Sequence, residues 1–271
     1  MKIGIYYFSG TGNTRFIAQE IQLGLSDGGS VCELIPIETI TKRERTLEPE
    51  KYDLVGIGFP VHAFDAPRIV YDFLEMLPIA HIRCFLFKTA GDKFLNGGST
   101  RRVRMLLAHH NWKLEHESFF VMPSNIASKA KTDKIESLVE AAKIHAAETV
   151  CEILSETKRI LPDSSAQRMF SLMHHVENRG CKQGSRYWRT NDKCVLCGSC
   201  VAECPTKNIS IAKGKIVFGD SCILCLRCWW NCPTRAIYHQ QLNFVLLKQP
   251  YVLPKAKIPP KTDGSMGVKV E

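Results

Sequence analysis

The run CVLCGSCVAECP spans Cys194 to Pro205, and the run CILCLRCWWNCP repeats its pattern 28 residues later, from Cys222 to Pro233. Eight of the twelve cysteines of the chain lie in these two runs. Each run reads C-x2-C-x2-C-x3-C-P, in which three closely spaced thiolates reach three irons of a four-iron, four-sulfur cubane and a distant cysteine supplies the fourth ligand. The doubled run therefore predicts a small domain with two [4Fe-4S] clusters and crossed ligation.

The pattern also predicts which cysteines hold each cluster. The first cluster takes Cys194, Cys197, Cys200 and Cys232, and the second takes Cys222, Cys225, Cys228 and Cys204. The repeat extends beyond the ligands, because Thr206 and Ile209 are matched by Thr234 and Ile237. The region therefore reads as an internal duplication.

Zinc and disulfides are the competing interpretations of so many cysteines. Structural zinc uses paired C-x2-C knuckles and has no use for a third cysteine two residues further on. Disulfides need an oxidising compartment, yet the chain begins MKIGIYYFSG, without the pattern of a signal peptide, and contains no apolar stretch long enough to span a bilayer. We therefore expect a cytoplasmic protein with reduced thiols, and we predict Cys32, Cys84 and Cys151 to be small core residues.

Charge is divided unevenly along the chain. The net charge is +9, of which residues 1–163 contribute −1 and residues 164–271 contribute +10. Two oxidised clusters offset about four of these positive charges. The positive charge that remains suits an acidic redox protein as partner. No nucleic-acid motif accompanies the charge, so we expect no nucleic acid, and the sequence leaves the oligomeric state open, a homodimer included.

The first strand-like run, Lys2 to Phe8, leads into SGTGNT at Ser9 to Thr14 and then into an amphipathic helix. A strand, a turn of glycines and hydroxyls, and a helix start together form a phosphate cradle. No lysine follows, which excludes the nucleoside-triphosphate loop, and Arg15 stands where a dinucleotide fingerprint has its third glycine. The sequence therefore predicts an anion site made largely of neutral donors.

Strand and helix patterns then alternate to about residue 160. We predict further strands at 31–35, 53–59, 84–88 and 118–122, and helices at 67–76, 100–109 and 133–156. This alternation indicates a parallel sheet of five strands with helices on both faces, which binds its ligand at the carboxyl ends of the strands. Three loops lie at that edge, at 9–14, 59–67 and 89–98. The second and third suit a flat heteroaromatic ring.

Residues 1–160 resemble flavodoxin, with SGTGNT as the most specific element. Together with the cysteine runs, the chain resembles the EFR1-type flavodoxin-ferredoxin fusions, which implies FMN and two [4Fe-4S] clusters as cofactors. By this resemblance the FMN phosphate is held by Ser9, Gly10, Thr11, Gly12, Asn13 and Thr14. The same resemblance implies two loops that contact the FMN ring, here called the ring loops. Their residues are Pro60, Val61, His62, Phe64, Thr89, Ala90, Gly91 and Asp92.

Several of these ring-loop residues have a second interpretation. Flavodoxins often flank the ring with Trp and Tyr, whereas Phe64 and Phe94 are the aromatic residues available here. For Phe59 and Phe94, core packing is the preferred interpretation. His62 is consistent with a hydrogen bond to the flavin or with contacts inside its own loop.

The expected fold is α/β, a flavodoxin-like doubly wound five-stranded parallel sheet followed by a small α+β two-cluster ferredoxin domain. We predict an FMN-binding domain at 1–161, a linker with a short helix at 162–190, a ferredoxin domain at 191–241 and an extended or disordered tail at 242–271.

The expected function is electron transfer between FMN, the two clusters and an external redox protein, with no catalytic residue. Two alternatives stay open. One is a flavin-dependent reductase of a small substrate, with His62, Asp65 and Asp92 as candidate acid-base groups. The other is a redox sensor or binding module built on the clusters.

Overall fold

Five parallel strands form the sheet of the amino-terminal half. The computed structural model describes residues 1–62, 64–92, 97–126, 132–162, 183–242, 246 and 250–254. The strands are β1 Lys2–Tyr7, β2 Val31–Pro36, β3 Leu54–Pro60, β4 Arg83–Ala90 and β5 Lys113–Val121, in the order β2-β1-β3-β4-β5. This is the flavodoxin-like order, with its switch point between β1 and β3. The predicted fold class is therefore confirmed for this half.

Helices cover both faces of this sheet, as the alternation predicts. They are α1 Asn13–Asp27, α2 Ile37–Thr41, α3 Arg68–Leu74, α4 Arg101–His109 and α5 Thr132–Leu154, with 3-10 turns at Pro49–Lys51 and Gly97–Thr100. The predicted elements are all present, and their ends differ from the predicted ones by at most five residues. The sequence pattern missed α2, a single short turn of helix after β2.

Residues on the two faces of each strand enter two separate cores. Ile3 and Ile5 of β1 pack with α1 and α5, whereas Tyr6 and the following Phe8 pack with α2, α3 and α4. This alternation follows from the period of two along a strand, and burial on both faces is characteristic of parallel sheets. The carboxyl edge of the sheet is thereby left as the place where loops can form a site.

The carboxy-terminal half is a small α+β unit. Two antiparallel pairs form it: β6 Trp188–Thr190 with β9 Ile237–His239, and the hairpin of β7 Ile209–Ala212 with β8 Lys215–Phe218. Two short helices, α6 Ser199–Ala202 and α7 Arg227–Trp230, follow the cysteine loops. This confirms the second part of the predicted fold class.

The backbone of the small unit repeats with the same 28-residue offset as its sequence. Left-handed residues occur in matching pairs, with φ of 53° and 48° at Leu196 and Leu224, and 51° and 54° at Lys207 and Arg235. The third pair is Gly198, with a φ of 77°, and Leu226, with a φ of 62°. Non-glycine residues adopt this conformation rarely, so the matching pairs indicate that the two repeats share one backbone conformation, as an internal duplication would.

The segments that were predicted as linker and tail contain ordered contacts. Residues 188–190, within the predicted linker, form β6, while its predicted short helix falls on residues 163–182, outside the described part. In the predicted tail, Leu246 is buried and residues 250–254 pack against both halves of the chain. Residues 250–254 form neither helix nor strand, and most of the tail lies outside the described residues, so the extended or disordered tail stays a prediction.

The isolated cysteines follow the core prediction only in part. Cys84 is buried and Cys32 is half-buried, but Cys151 is exposed, so the core prediction is wrong for Cys151. Its neighbour Val150 takes the buried position on α5 instead. Within the described ranges, no helix is long and apolar enough to cross a membrane.

Candidate cofactor sites

The loop between β1 and α1 has the geometry of an anion cradle. Gly12 begins α1 with a φ of 113°, a conformation that glycine adopts readily, and no side chain caps the first turn of the helix. The first turn also contains no acidic residue. The free N–H groups and the helix dipole favour a negative group at this end, so the residues present fit a phosphate.

Two polar side chains of this loop hold it in place. The hydroxyl oxygens of Thr14 and Thr89 lie 2.8 Å apart and are buried. Asn13 donates from its amide nitrogen to the carbonyl oxygen of Pro123 at 2.9 Å. These contacts tie the start of α1 to the ends of β4 and β5. Donors to an anion would therefore come from the backbone and from Ser9 and Thr11.

The predicted ring loops lie beside the phosphate loop at the same sheet edge. The N–H of Val61 donates to the carbonyl of Thr89 at 2.8 Å, which joins the loop after β3 to the end of β4. Phe64 has a φ of 72°, which is rare for an aromatic residue. Strained backbone of this kind concentrates at ligand sites, and it persists where surrounding contacts enforce it.

His62 and Asp65 pair through their backbones, but their side chains differ. Burial lowers the pKa of His62 to about 4, so its ring is neutral at pH 7. The Asp65 carboxylate is buried and accepts hydrogen bonds from Tyr71 at 2.5 Å and from Arg102 at 3.2 Å. Asp65 is therefore a structural ion-pair partner, which removes it from the candidate acid-base groups.

The remaining ring-loop candidates divide between core, surface and undescribed positions. Phe59 is fully buried, which agrees with its interpretation as a packing residue. Gly91 and Asp92 are exposed at the end of the loop. Phe94 lies outside the described residues.

The first predicted cluster site is a pocket that draws cysteines from both runs. Cys194, Cys197 and Cys200 line it together with Cys232, and the apolar side chains of Leu196, Ile216 and Ile237 complete the lining. This is the same crossed set that the spacing predicts. Because the fourth cysteine comes from the distant run, each half of the duplication depends on the other.

The second set of cysteines is coupled electrostatically. Burial, followed by the charges of Cys225, Cys222 and Cys204, raises the pKa of the Cys228 thiol. Burial also raises the pKa of the Cys225 thiol to about 12. The cysteine of the first run that couples to this group is Cys204, as crossed ligation requires. Coordinated iron deprotonates such thiols directly and compensates the buried charge.

Backbone N–H groups donate to the fourth cysteine sulfur in the same way in both cysteine runs. The N–H of Asn208 donates to Cys204 Sγ at 3.2 Å, and the N–H of Ala236 donates to Cys232 Sγ at 3.3 Å. Among the described residues, no three Cys, His, Asp or Glu side chains converge to hold a single metal ion. A cubane instead spreads its ligands over four irons, one cysteine to each.

Trp188 contributes a buried donor beside the second set. Its indole N–H has no hydrogen-bond partner among the described residues and lies next to Cys222. Burial raises the pKa of the Cys222 thiol, and the nearby indole N–H offsets a part of that rise. A buried donor without a partner is costly, so a sulfur acceptor at this position would satisfy it. Together with the cysteine sets and the backbone donors, this donor fits an iron-sulfur cluster.

Arg227 holds the second cysteine run against the phosphate loop. Its Nη2 donates to the carbonyl oxygen of Ser9 at 2.6 Å and pairs with Glu38 Oε1 at 2.6 Å. Its guanidinium lies 5.6 Å from the ring centre of Phe8. No sequence pattern predicts this contact, because Arg227 reads there as one more basic residue.

Two further contacts hold the second cysteine run close to the amino-terminal half. A Cβ on Gly10 would lie 2.2 Å from the carbonyl oxygen of Cys225, so the two backbones approach as only glycine permits. Ile223 is buried in the same core as Phe8 and Ile40 of the amino-terminal half. The predicted second cluster site therefore lies directly beside the predicted phosphate site.

Tyr251, far along the chain, contacts the loop at the start of α1. Its hydroxyl lies 2.7 Å from Asn13 Oδ1, 2.7 Å from the carbonyl oxygen of Pro123 and 2.6 Å from Asn125 Oδ1. Its ring meets that of Trp230 edge to face, with centroids 5.0 Å apart. A lone tyrosine in a Pro- and Lys-rich segment gave no signal for this role in the sequence.

Comparison with known families bears on the small unit. The family described as "4Fe-4S binding domain" matches residues 188–210, which contain the whole first cysteine run. No curated protein matches the chain.

Several solved structures are similar to the amino-terminal half. A flavodoxin from the domain Archaea has 14% identity and a TM-score of 0.37, covering 56% of this chain and 99% of its own. The flavodoxin of Streptococcus pneumonia TIGR4 has 17% identity and a TM-score of 0.38, covering 56% and 99%. A flavoprotein in complex with FMN from Lactobacillus acidophilus NCFM has 17% identity and a TM-score of 0.34, covering 44% and 92%.

The fold and the family match together define the class of this protein. Its strand order is flavodoxin-like, and its small unit carries a 4Fe-4S binding domain of ferredoxin type. The chain thus joins a sheet of flavodoxin-like strand order to a segment that matches a 4Fe-4S binding domain.

Proposed function

We propose that this chain is an EFR1-type flavodoxin-ferredoxin fusion that binds one FMN and two [4Fe-4S] clusters and exchanges electrons with an external redox protein. The observation that carries the proposal is the contact of Arg227 and Cys225 with Ser9 and Gly10. This contact brings a cluster-binding loop against an anion-binding loop. A chain that only stored two cofactors would not need their sites to touch.

The chemistry of the two cofactor types is complementary. A flavin accepts two electrons and releases them one at a time, whereas each cluster handles one, so the combination converts between the two kinds of transfer. The chain itself supplies binding, orientation and exclusion of water. No acid-base residue is required for that role.

The proposed FMN site is built from the three loops at the carboxyl edge of the sheet. Its phosphate lies at residues 9–14, where backbone N–H groups face the anion. The ring would be held by the loop residues Pro60, Val61, His62 and Phe64 together with Thr89, Ala90, Gly91 and Asp92. A neutral His62 suits this position, because it offers a hydrogen bond without a charge.

The proposed clusters are ligated across the two runs. Cys194, Cys197, Cys200 and Cys232 hold the first, and Cys222, Cys225, Cys228 and Cys204 hold the second. The supporting observations are the pocket that the first set lines and the position of Cys204 beside Cys222, Cys225 and Cys228.

The test is anaerobic purification followed by iron, sulfide and flavin determination on one sample. We expect about eight irons and about eight sulfides per chain, as two cubanes require, together with one FMN. Zinc in place of iron, or no bound flavin after reconstitution with FMN, would overturn the proposal. Phosphate-loop variants separate the two parts: Gly12→Val should abolish flavin binding, because its β-branched side chain is strained at this φ, and leave the iron content unchanged.

A further inference from the structure

The two cysteine runs face different surroundings. Ile223 and Cys225 of the second run lie against the amino-terminal half, and Arg227 reaches into it. In the first run, Val195 is 65% exposed, Leu196 is 40% exposed, and Cys197 is also exposed. The second set of cysteines is thus turned inward, towards the proposed flavin site, while the first is turned towards solvent.

This difference indicates at which of the two predicted clusters an external redox protein can approach. Electron tunnelling falls steeply with distance, so an external redox centre must approach where the cover over a cluster is thin. In the described part of the chain, the loop of Val195 and Leu196 is such a cover, because both side chains flank the pocket of the first cysteine set and remain exposed. A contiguous exposed apolar patch rimmed by polar residues marks a protein–protein interaction site, and this loop supplies the apolar centre of such a patch.

The rim of this loop is basic. Lys193 precedes it, and Lys215 stands on the hairpin whose Ile216 lines the same pocket. Both lysines are exposed, and neither forms an ion pair within the described ranges, whereas Asp192 is the acidic residue beside them. An unpaired basic rim around an apolar centre attracts a partner of the opposite charge over a distance of about 10 Å at moderate salt.

We propose that Lys193, Val195, Leu196 and Lys215, here called the outer surface, dock a one-electron redox protein that presents a small apolar spot ringed by carboxylates. The proposal rests on the function proposed above. In the transfer, one electron leaves the reduced centre on one side of the contact and is gained by the oxidised centre on the other. No bond forms or breaks, and no proton moves.

The test compares two small acceptor proteins of opposite charge. The loaded full-length protein is reduced anaerobically, freed of excess reductant and mixed with acidic rubredoxin or with basic cytochrome c. We expect the rubredoxin rate to be the faster at low salt and to fall about tenfold as the salt concentration is raised, because screening weakens the attraction. The cytochrome c rate should be unchanged or rise.

Charge-reversal variants then locate the contact. Lys193→Glu and Lys215→Glu should each lower the rubredoxin rate about tenfold at low salt, whereas Lys158→Glu, an exposed lysine of the amino-terminal half, should leave it unchanged. The double variant Val195→Ser with Leu196→Ser should lower the rate at every salt concentration. Iron content, measured for each variant, verifies that the clusters are intact.

Binding without electron transfer provides a second readout. Isotope-labelled rubredoxin with zinc in place of iron is titrated with the oxidised protein, and its amide shifts are followed by NMR. Shifts that are lost with Lys193→Glu but kept with Lys158→Glu support the proposal. Equal rates for both acceptors, or no effect of the outer-surface variants, overturn it. A preparation without iron or flavin would instead contradict the proposed function.

Discussion

Arg227, between two cysteines of the second run, donates a hydrogen bond of 2.6 Å to the carbonyl oxygen of Ser9, 218 residues earlier in the chain. The same Nη2 pairs with Glu38, and the two side chains are only 15% and 11% exposed. A buried ion pair is expensive to break, because the remaining partner keeps its charge without compensation. The contact between the two halves is therefore specific as well as close.

Replacing Arg227 alone should destabilise the protein strongly. In Arg227→Met, Glu38 remains buried without its partner, and we expect a loss of about 3 kcal/mol in the free energy of unfolding. The double variant Arg227→Met with Glu38→Met should recover most of this loss, because no uncompensated charge remains. Urea unfolding followed by far-UV circular dichroism measures both. Equal stability of the single and double variants would show that the pair does not hold the halves together.

Gly10 should tolerate no side chain. A Cβ in Gly10→Ala would stand 2.2 Å from the carbonyl oxygen of Cys225, which forces backbone movement at a cost of about 1–3 kcal/mol. Gly184→Ala is the matched control, since the nearest atom to its added Cβ lies 3.8 Å away. Thermal unfolding should separate the two variants clearly, and a Gly10→Ala protein as stable as the control would contradict the close approach.

Pairs of cysteine variants should reveal the crossed ligation. If Cys204 serves the second cluster, then Cys204→Ala with Cys225→Ala damages one cluster and leaves about four irons per chain. Cys204→Ala with Cys200→Ala damages both clusters and leaves few or none. Iron and sulfide determination decides between these outcomes, and the reverse pattern would mean that each run ligates its own cluster.

Trp188→Phe should lower the reduction potential of the second cluster. The buried indole N–H beside Cys222 would stabilise the more negative, reduced state by a hydrogen bond to sulfur, and phenylalanine removes that donor while it keeps the ring. Potentiometric titration followed by electron paramagnetic resonance measures the shift. Trp229→Phe, in the same aromatic core, serves as the control, and an equal shift in both variants would argue for packing instead.

His62 should make the protein less stable as the pH falls. Its folded-state pKa of about 4 lies below the unfolded value of about 6.5, so the unfolded chain takes up a proton that the folded chain refuses. Stability is therefore present above about pH 6.5 and is lost on acidification. Between about pH 7.5 and about pH 5.5 the loss is about 1 kcal/mol.

A matched pair of variants isolates this effect. His62→Gln should abolish that part of the pH dependence, and His81→Gln, an exposed histidine, should leave it intact. Urea midpoints at the two pH values provide the comparison. An unchanged slope in His62→Gln would show that this ring is protonated freely in the folded protein.

Local patterns in the sequence were sufficient to predict the two halves. The cysteine spacing is dictated by the cubane itself, and the start of α1 follows from Gly12 and the apolar stripe of Phe16, Ile17 and Ile21. The position of Phe59 at the end of a buried strand was likewise readable. Each of these three features depends on residues that lie close together in the sequence.

The contacts that join the halves depend on distant residues and were not readable. Arg227 meets Ser9, and Tyr251 meets Asn13, each across more than two hundred residues. The buried carboxylate of Glu117 was not readable either, because its partner Arg104 lies on a different element, at 3.2 Å. A charged residue in a sequence reads as exposed unless its partner is known.

Ile223 also has a consequence for how the chain unfolds and how it can be divided. It belongs to the cysteine runs in sequence but to the core beside Phe8 in space. A fragment that ends after α5 would have a hole in that core, and the excised ferredoxin half would expose the same isoleucine to water. The two halves are thus parts of one cooperative unit, which should melt in a single transition rather than as separable modules.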